Sequence, residues 1–300
     1  MSSSRPADVN LSLEELAKHG GLTGPHKDGW GIAYYQENDT VIIREAGPAG
    51  NSDFIEFIKG HRFVSNLVLS HIRLATQGGL ALKNTQPFQR ELGGRMHVFT
   101  HNGDLKGIRD HPSLKLGSFQ PIGQTDSEYA FCALLAKMSK LWKQGGAPSP
   151  DRRFEAVRSF ALKIRKLGPA NFMYADGELL FAHGHMRSLG KGKGFGPPGL
   201  HLLKRECMGH GSPGKGARGQ GRFKAKGLAV ASTDGVQKVV LLASVPLTKE
   251  PWLPLEEGEL LAVGKGRILR STVETKNARR PTGSKTSPEP SNPGRRKAAP

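Results

Sequence analysis

Apolar periodicity along this chain changes between two and 3.6 residues in blocks rather than in strict alternation, and that order excludes most sheet architectures. Strand-like runs come in pairs. Trp30–Tyr35 and Val41–Arg44 flank the polar turn Glu37-Asn38-Asp39, and Asn66–Ile72 and Met96–Thr100 read as buried strands. Ala170–Tyr174 and Leu179–Ala182 flank Asp176-Gly177, followed by Leu228–Ser232, Val239–Val245 and a terminal hairpin over Glu259–Leu269. Helical spacing covers Leu11–His19, where Ser12 and Glu15 form a capping box, then Ser52–Lys59, Asp126–Lys140 and Phe154–Leu167. A doubly wound parallel sheet needs one helix per strand. The pattern instead predicts an α+β fold of mixed layers.

Not all of the chain can join that core. The formal charge is +18, which first suggests a polyanionic partner. Its placement weakens the idea. Residues 187–226 hold ten Lys/Arg and eleven glycines against one Glu, residues 267–300 nine Lys/Arg against two Glu, and the remainder is nearly neutral. The first stretch reads as a solvated, basic, Gly-rich insertion over 187–226 and the second as a disordered basic tail over 270–300, leaving one domain over 1–269. Phe195 and Phe223 are the only aromatics in the insertion, so contact with nucleic acid is expected to be non-specific and is a minor reading. Glycine patterns at 194–199 and 209–215 mimic nucleotide loops but lack the strand before and the helix after, so no cofactor is expected. Cys132 and Cys207 are too few for a disulfide scaffold; Cys132 lies on an apolar helix face, and Cys207 has no base beside it. No apolar run approaches the ~20 residues of a membrane span, and the N-terminus lacks a secretory leader. A cytoplasmic protein without membrane attachment is the expectation.

Five short segments carry chemistry: Asp28-Gly29-Trp30-Gly31, His71-Ile72-Arg73-Leu74-Ala75-Thr76, Asn84-Thr85-Gln86-Pro87-Phe88, His101-Asn102-Gly103 and Thr125-Asp126-Ser127-Glu128. Singly, each has an ordinary reading. Asn102-Gly103 is a turn, Arg73 a surface charge or a structural ion pair, and Asp126 a helix cap. His97 and His101 are a strand pair ~13 Å apart rather than metal ligands. Together, their order and spacing resemble class II glutamine amidotransferases, especially the small stand-alone bacterial members. Those share Thr-Gly-Pro-His-Lys-Asp-Gly-Trp-Gly, found here at 23–31, and the later Pro246-Leu247-Thr248, Trp252 and Gly258-Glu259.

The resemblance implies the four-layer αββα sandwich of N-terminal-nucleophile hydrolases. It also implies hydrolysis of the side-chain amide of glutamine, or of a γ-glutamyl compound, through a thioester on an N-terminal cysteine. The α-amine of that cysteine, with a pKa near ~8, takes the thiol proton. By the same resemblance Asn102 and the Gly103 N–H form the oxyanion hole, Arg73 clamps the α-carboxylate, Asp126 pairs with the α-ammonium, and Thr76 and Asn84 line the pocket. No metal is implied. Released ammonia would pass to a synthase partner or be lost in simple hydrolysis. Two departures stand out. Gln86 replaces the usual His, and the chain begins Met1-Ser2-Ser3-Ser4, where Met1-Ser2 match the end of the relatives' Gly-Met-Ser. Ser2 thus falls about five residues after the usual nucleophile, roughly 15 Å along a strand, and is the wrong residue to act. The expectation is a start further upstream at Met-Cys; the alternative is an inactive protein that still binds glutamine or a γ-glutamyl ligand.

Overall fold

The computed structural model describes residues 1–8, 27–61, 63–75, 77–142, 146–190, 192–208, 221–225, 228–232 and 236–273; the expected helix over Leu11–His19 lies outside them. Every strand pairing is antiparallel, so no helical crossover is needed between neighbours. A seven-stranded sheet runs in the order Leu253–Pro254, His201–Met208, Val236–Ala243, Ser2–Asp8, Val64–Ile72, Trp30–Gln36, Asp39–Glu45. A six-stranded sheet runs Arg267–Ser271, Glu259–Gly264, Leu180–Gly184, Ala170–Ala175, Met96–Gly103, Phe88–Glu91.

Strand alternation sorts the side chains into three cores. Ala33, Tyr35, Leu67, Leu69 and Leu242 of the first sheet meet Val98, Leu180, Ala182, Leu261 and Val263 of the second. Trp30, Ile32, Tyr34 and Val68 point the other way, onto Ile55 and Ile58 of the helix Asp53–Gly60. Phe99, Phe172, Tyr174 and Phe181 point away from the first sheet, onto Phe131, Leu134, Phe154 and Phe160 of the helices Asp126–Met138 and Pro150–Ile164. Each fully buried side chain of this size contributes roughly 1.5–3 kcal/mol, which holds helices that have no backbone pairing to the sheets.

Three expectations need correction, and one strand carries no periodic signal. The polar start of the chain, Ser2–Asp8, is a strand near the middle of the larger sheet. Ser2 and Ser3 are buried and Ser4 half-buried, and backbone groups satisfy them: Ser3 Oγ donates to Arg5 O at 2.7 Å, and Ser4 Oγ and Ser2 Oγ accept from Lys238 N at 2.9 Å and Gly266 N at 3.2 Å. The supposed insertion over 187–226 is partly sheet. His201–Met208 pairs with Val236–Ala243 along its whole length, with Leu202 and Leu203 buried and Lys204 and Glu206 exposed. Averaged composition had hidden that short run of buried positions. The tail joins the fold further than residue 269, since Arg267–Ser271 is a strand and Thr272 N donates to Leu260 O at 3.0 Å. The fourth helix expected from spacing begins earlier, at Pro150, with Ser149 as its cap.

Candidate active site

Asn102-Gly103 is no turn. The strand Met96–Gly103 runs straight through it, with Asn102 opposite Asn171 and Gly103 opposite Ala170. A side chain at Gly103 would collide with the Pro169 carbonyl, so only glycine lets the two backbones approach this closely. Asn171 Nδ2 donates to Asn102 O at 3.0 Å and to Met186 O at 2.7 Å, while its Oδ1 accepts from His185 N at 2.8 Å. On the preceding residue, Gln86 takes both backbone groups of His101. The His101 ring turns to the helical side, where Nδ1 lies 2.9 Å from Ser127 Oγ and burial lowers its pKa. Backbone and ring are therefore fixed, and the Asn102 side chain alone is exposed.

Asn102 opens on a cavity of about 320 Å³, which Met1, Val68, Ser70, Thr100, Asn171 and Trp252 help to line. The Met1 α-amine donates to Val68 O at 2.8 Å. Burial pulls its pKa down from 8.0 to about 5, so at neutral pH it is an uncharged rung of the sheet.

The other expected residues form a polar knot that does not line this cavity. Arg73 is buried, and its guanidinium donates to four carbonyls: Asp28 O and Gly79 O at 3.2 Å, Gln77 O at 2.8 Å and Gly78 O at 2.9 Å. Desolvation lowers its pKa, partly offset by Asp28. Asn84 Nδ2 donates to Gly79 O and Gln124 Oε1, both at 3.0 Å, and its Oδ1 accepts from Gln124 N at 2.9 Å. Asp126 accepts from Leu105 N and Ser127 N, both at 2.8 Å. It is not the helix cap; Thr125 is, accepting from Glu128 N at 3.1 Å. Gln77 Nε2 closes the knot on Asp104 Oδ1 at 2.6 Å. All five sequence segments thus meet in space, although Thr76 itself lies outside the described residues.

The chain matches the family model "Glutamine amidotransferases class-II" over residues 1–288. It belongs to the class II glutamine amidotransferases. Among its relatives, the Escherichia coli (strain K12) protein named "Putative glutamine amidotransferase YafJ" is 38% identical over 186 residues, 61% of this chain and 70% of that protein. A Haemophilus influenzae protein named "Putative glutamine amidotransferase" is 32% identical over 278 residues, 92% of this chain and 86% of its own length. The crystal structure of a "predicted glutamine amidotransferase" from Pseudomonas aeruginosa PA01 superposes with TM-score 0.59 at 30% identity, covering 90% of this chain and 97% of that one. The glutamine phosphoribosylpyrophosphate amidotransferase of B. subtilis superposes with TM-score 0.50 at 14% identity, a likeness of fold alone. This chain spans about half of that enzyme, 48% of it.

Within this class II amidotransferase, sequence reasoning missed Asn171 and Met1. Asn171 carries no motif and reaches Asn102 by strand pairing, while Met1, paired with Val68 in the other sheet, shares only the cavity with it. Cys132 is fully buried, and desolvation pushes its thiol up to about 11. The side chain of Cys207 lies outside the described residues. His97 is held between Tyr174 OH at 2.6 Å and Leu92 O at 3.0 Å. Among the described residues no group of three or more His, Cys, Asp or Glu could hold a metal, and no helix is long and apolar enough to cross a membrane.

Proposed function

We propose that this protein cleaves the side-chain amide of glutamine or of a γ-glutamyl compound, with a nucleophilic cysteine supplied by residues preceding Met1. The observation that supports this is the exposed Asn102 side chain opening on a cavity that Met1, Ser70 and Thr100 help to line, with the five segments linked to one another by hydrogen bonds beside it. The cysteine thiol gives its proton to its own α-amine and attacks the amide carbon. The developing oxyanion takes hydrogen bonds from the Asn102 amide and the Gly103 N–H. Ammonia leaves with that proton, and water then hydrolyses the thioester to the free acid.

Arg73 and Asp126 hold the free amino-acid end of the substrate. Arg73 now spends its donors on the carbonyls of residues 77–79, so binding exchanges those carbonyls for the two carboxylate oxygens, which fit the same fork. Asp126 has accepted two N–H groups, and a carboxylate has about four acceptor sites, which leaves capacity for an ammonium. Asn84 and Thr76 complete the substrate-binding set that the family resemblance implies. The ammonia passes to an accepting synthase or is lost in simple hydrolysis.

The test is ammonia release from glutamine and from γ-glutamyl amides by the chain carrying its genomic upstream residues. Activity is expected, with loss when that cysteine becomes Ala and a fall of about 10²–10³ in rate for Asn102→Ala. Upstream codons without an in-frame Met-Cys would end this reading. Two observations favour a second: Met1 only lines the cavity beside Asn102, and Cys132 is buried with a raised thiol pKa, so the described residues offer no cysteine nucleophile there. On that reading it binds glutamine without turning it over. Calorimetry separates the two, since heat of binding without ammonia release favours the binder.

A further inference from the structure

Backbone bonding alternates from one edge of a strand to the other along an antiparallel ladder. Asp104 N donates to Pro169 O at 3.2 Å and Lys106 N to Leu167 O at 3.1 Å, which sets the phase between these two strands. Asn102, two residues before Asp104, therefore exchanges its backbone bonds with Asn171, its partner in register. The residues between turn to the other edge. There His101 N is taken by Gln86 Oε1 at 2.6 Å and Leu105 N by Asp126 Oδ2 at 2.8 Å. The Gly103 N–H lies between these two and faces the same edge.

The Asn171 side chain adds a second bond to the carbonyl its backbone already reaches. Its Nδ2 donates to Asn102 O at 3.0 Å, beside the ladder bond, so both lone pairs of that oxygen are filled. The same Nδ2 donates to Met186 O at 2.7 Å, and Oδ1 accepts from His185 N at 2.8 Å. Two acceptors and one donor fix which end of the amide is nitrogen. Asn171 is 2% exposed, and a side chain at Gly199 would take the place of its Oδ1. The bonds to residues 185 and 186 anchor the amide. The bond to Asn102 O is the one the sheet does not need, because the ladder already satisfies that oxygen.

We propose that Asn171 is a positioning residue that aims and polarises the Gly103 N–H. The Asn102 C=O and the Gly103 N–H belong to one planar peptide unit. Hydrogen bonds on the oxygen draw electron density towards it and make the N–H at the other end a stronger donor, by roughly 10–30% per bond. They also hold the peptide plane, and with it the direction of the N–H. Asn171 thus acts through Gly103 rather than on the substrate. The role rests on the amidohydrolase reading, in which that N–H meets the oxyanion.

The test has two readouts. In the full chain, the amide proton of Gly103 is followed by NMR in two variants. Asn171→Leu fills the same volume without the amide, and Gly199→Ala displaces the amide without removing it. An upfield shift of the Gly103 proton is expected in both. None is expected in Gln237→Met, which removes a buried amide elsewhere. In the enzyme carrying its upstream cysteine, Asn171→Leu should lower kcat about 10-fold or more with KM within about twofold, since the donor meets charge that develops only in the transition state. An unmoved Gly103 proton in both variants would overturn the role. So would a shifted proton with kcat intact, or a kcat loss as large in Gln237→Met. A parent that releases no ammonia defeats the amidohydrolase proposal alone, and the Gly103 proton still decides whether Asn171 holds the peptide.

Discussion

The side-chain amide of Gln86 pairs with both backbone groups of His101, accepting from its N–H at 2.6 Å and donating to its C=O at 3.0 Å. The edge strand Phe88–Glu91 ends its pairing at Phe88, opposite Phe99, so Gln86 supplies with its side chain the rung that no backbone reaches. That rung lies one residue before Asn102.

Gln86→Leu leaves a buried N–H and a buried C=O unpaired, each worth about 1–3 kcal/mol. A loss of roughly 2–4 kcal/mol in unfolding free energy is expected from urea titration. Gln86→His offers one donor and one acceptor on opposite sides of a ring and meets only one of the two groups. It should fall between Leu and the parent; a His variant as stable as the parent contradicts the two-bond account.

Arg153 is fully buried and bridges Asp176 at 2.9 Å and Glu178 at 2.8 Å, tying the helix Pro150–Ile164 to the turn after Ala170–Ala175. Asp176→Asn strands much of a buried positive charge and should cost about 3–5 kcal/mol. The double variant Arg153→Met with Asp176→Asn should cost less than the two singles combined, because neither charge is then left alone. Additive costs in a double-mutant cycle would count against the coupling.

His183 is buried, with Nδ1 2.7 Å from Ala170 O, and desolvation lowers its pKa from 6.5 to about 4. The unfolded state binds the proton more readily, so stability is complete above pH 6.5 and falls as pH drops towards 4. The shift corresponds to on the order of 3 kcal/mol, lost across that window. Urea midpoints at pH 7.5 and pH 4.5 (about three-quarters of the way down) should differ accordingly, and His183→Asn should flatten the profile. An unchanged slope in that variant would assign the acid sensitivity elsewhere.

Gly103→Ala drives a methyl group into the Pro169 carbonyl, which is backbone and cannot rotate away. A loss of roughly 3 kcal/mol or more is expected by thermal unfolding. Gly79→Ala, where no neighbour lies within 4 Å of the new methyl, should stay within about 0.5 kcal/mol of the parent.

Much of the fold was legible because local signals were redundant. The pair Trp30–Gln36 and Asp39–Glu45 carried both alternation and a turn, and Asp126–Met138 carried a full apolar stripe above the cap at Thr125. Ser2–Asp8 carried neither. It is a strand because two apolar strands flank it, and its serines are satisfied by backbone groups from Arg5, Lys238 and Gly266. His201–Met208 was hidden by the glycine and lysine on either side of it, since composition averages over a window wider than a strand.

From the sequence alone came the family resemblance, the α+β class and the residue types a glutamine-handling site needs, because motif order and periodicity are properties of the chain itself. Only the tertiary structure decided their geometry. It set Arg73 among carbonyls of residues 77–79, made Asn102 a strand residue held through Gln86 and Asn171, and placed a cavity between Asn102 and Met1. Hydrogen bonds between residues 15 and 69 positions apart, as in Gln86–His101 and Asn102–Asn171, leave no mark on local periodicity. They exist only once the strands have paired.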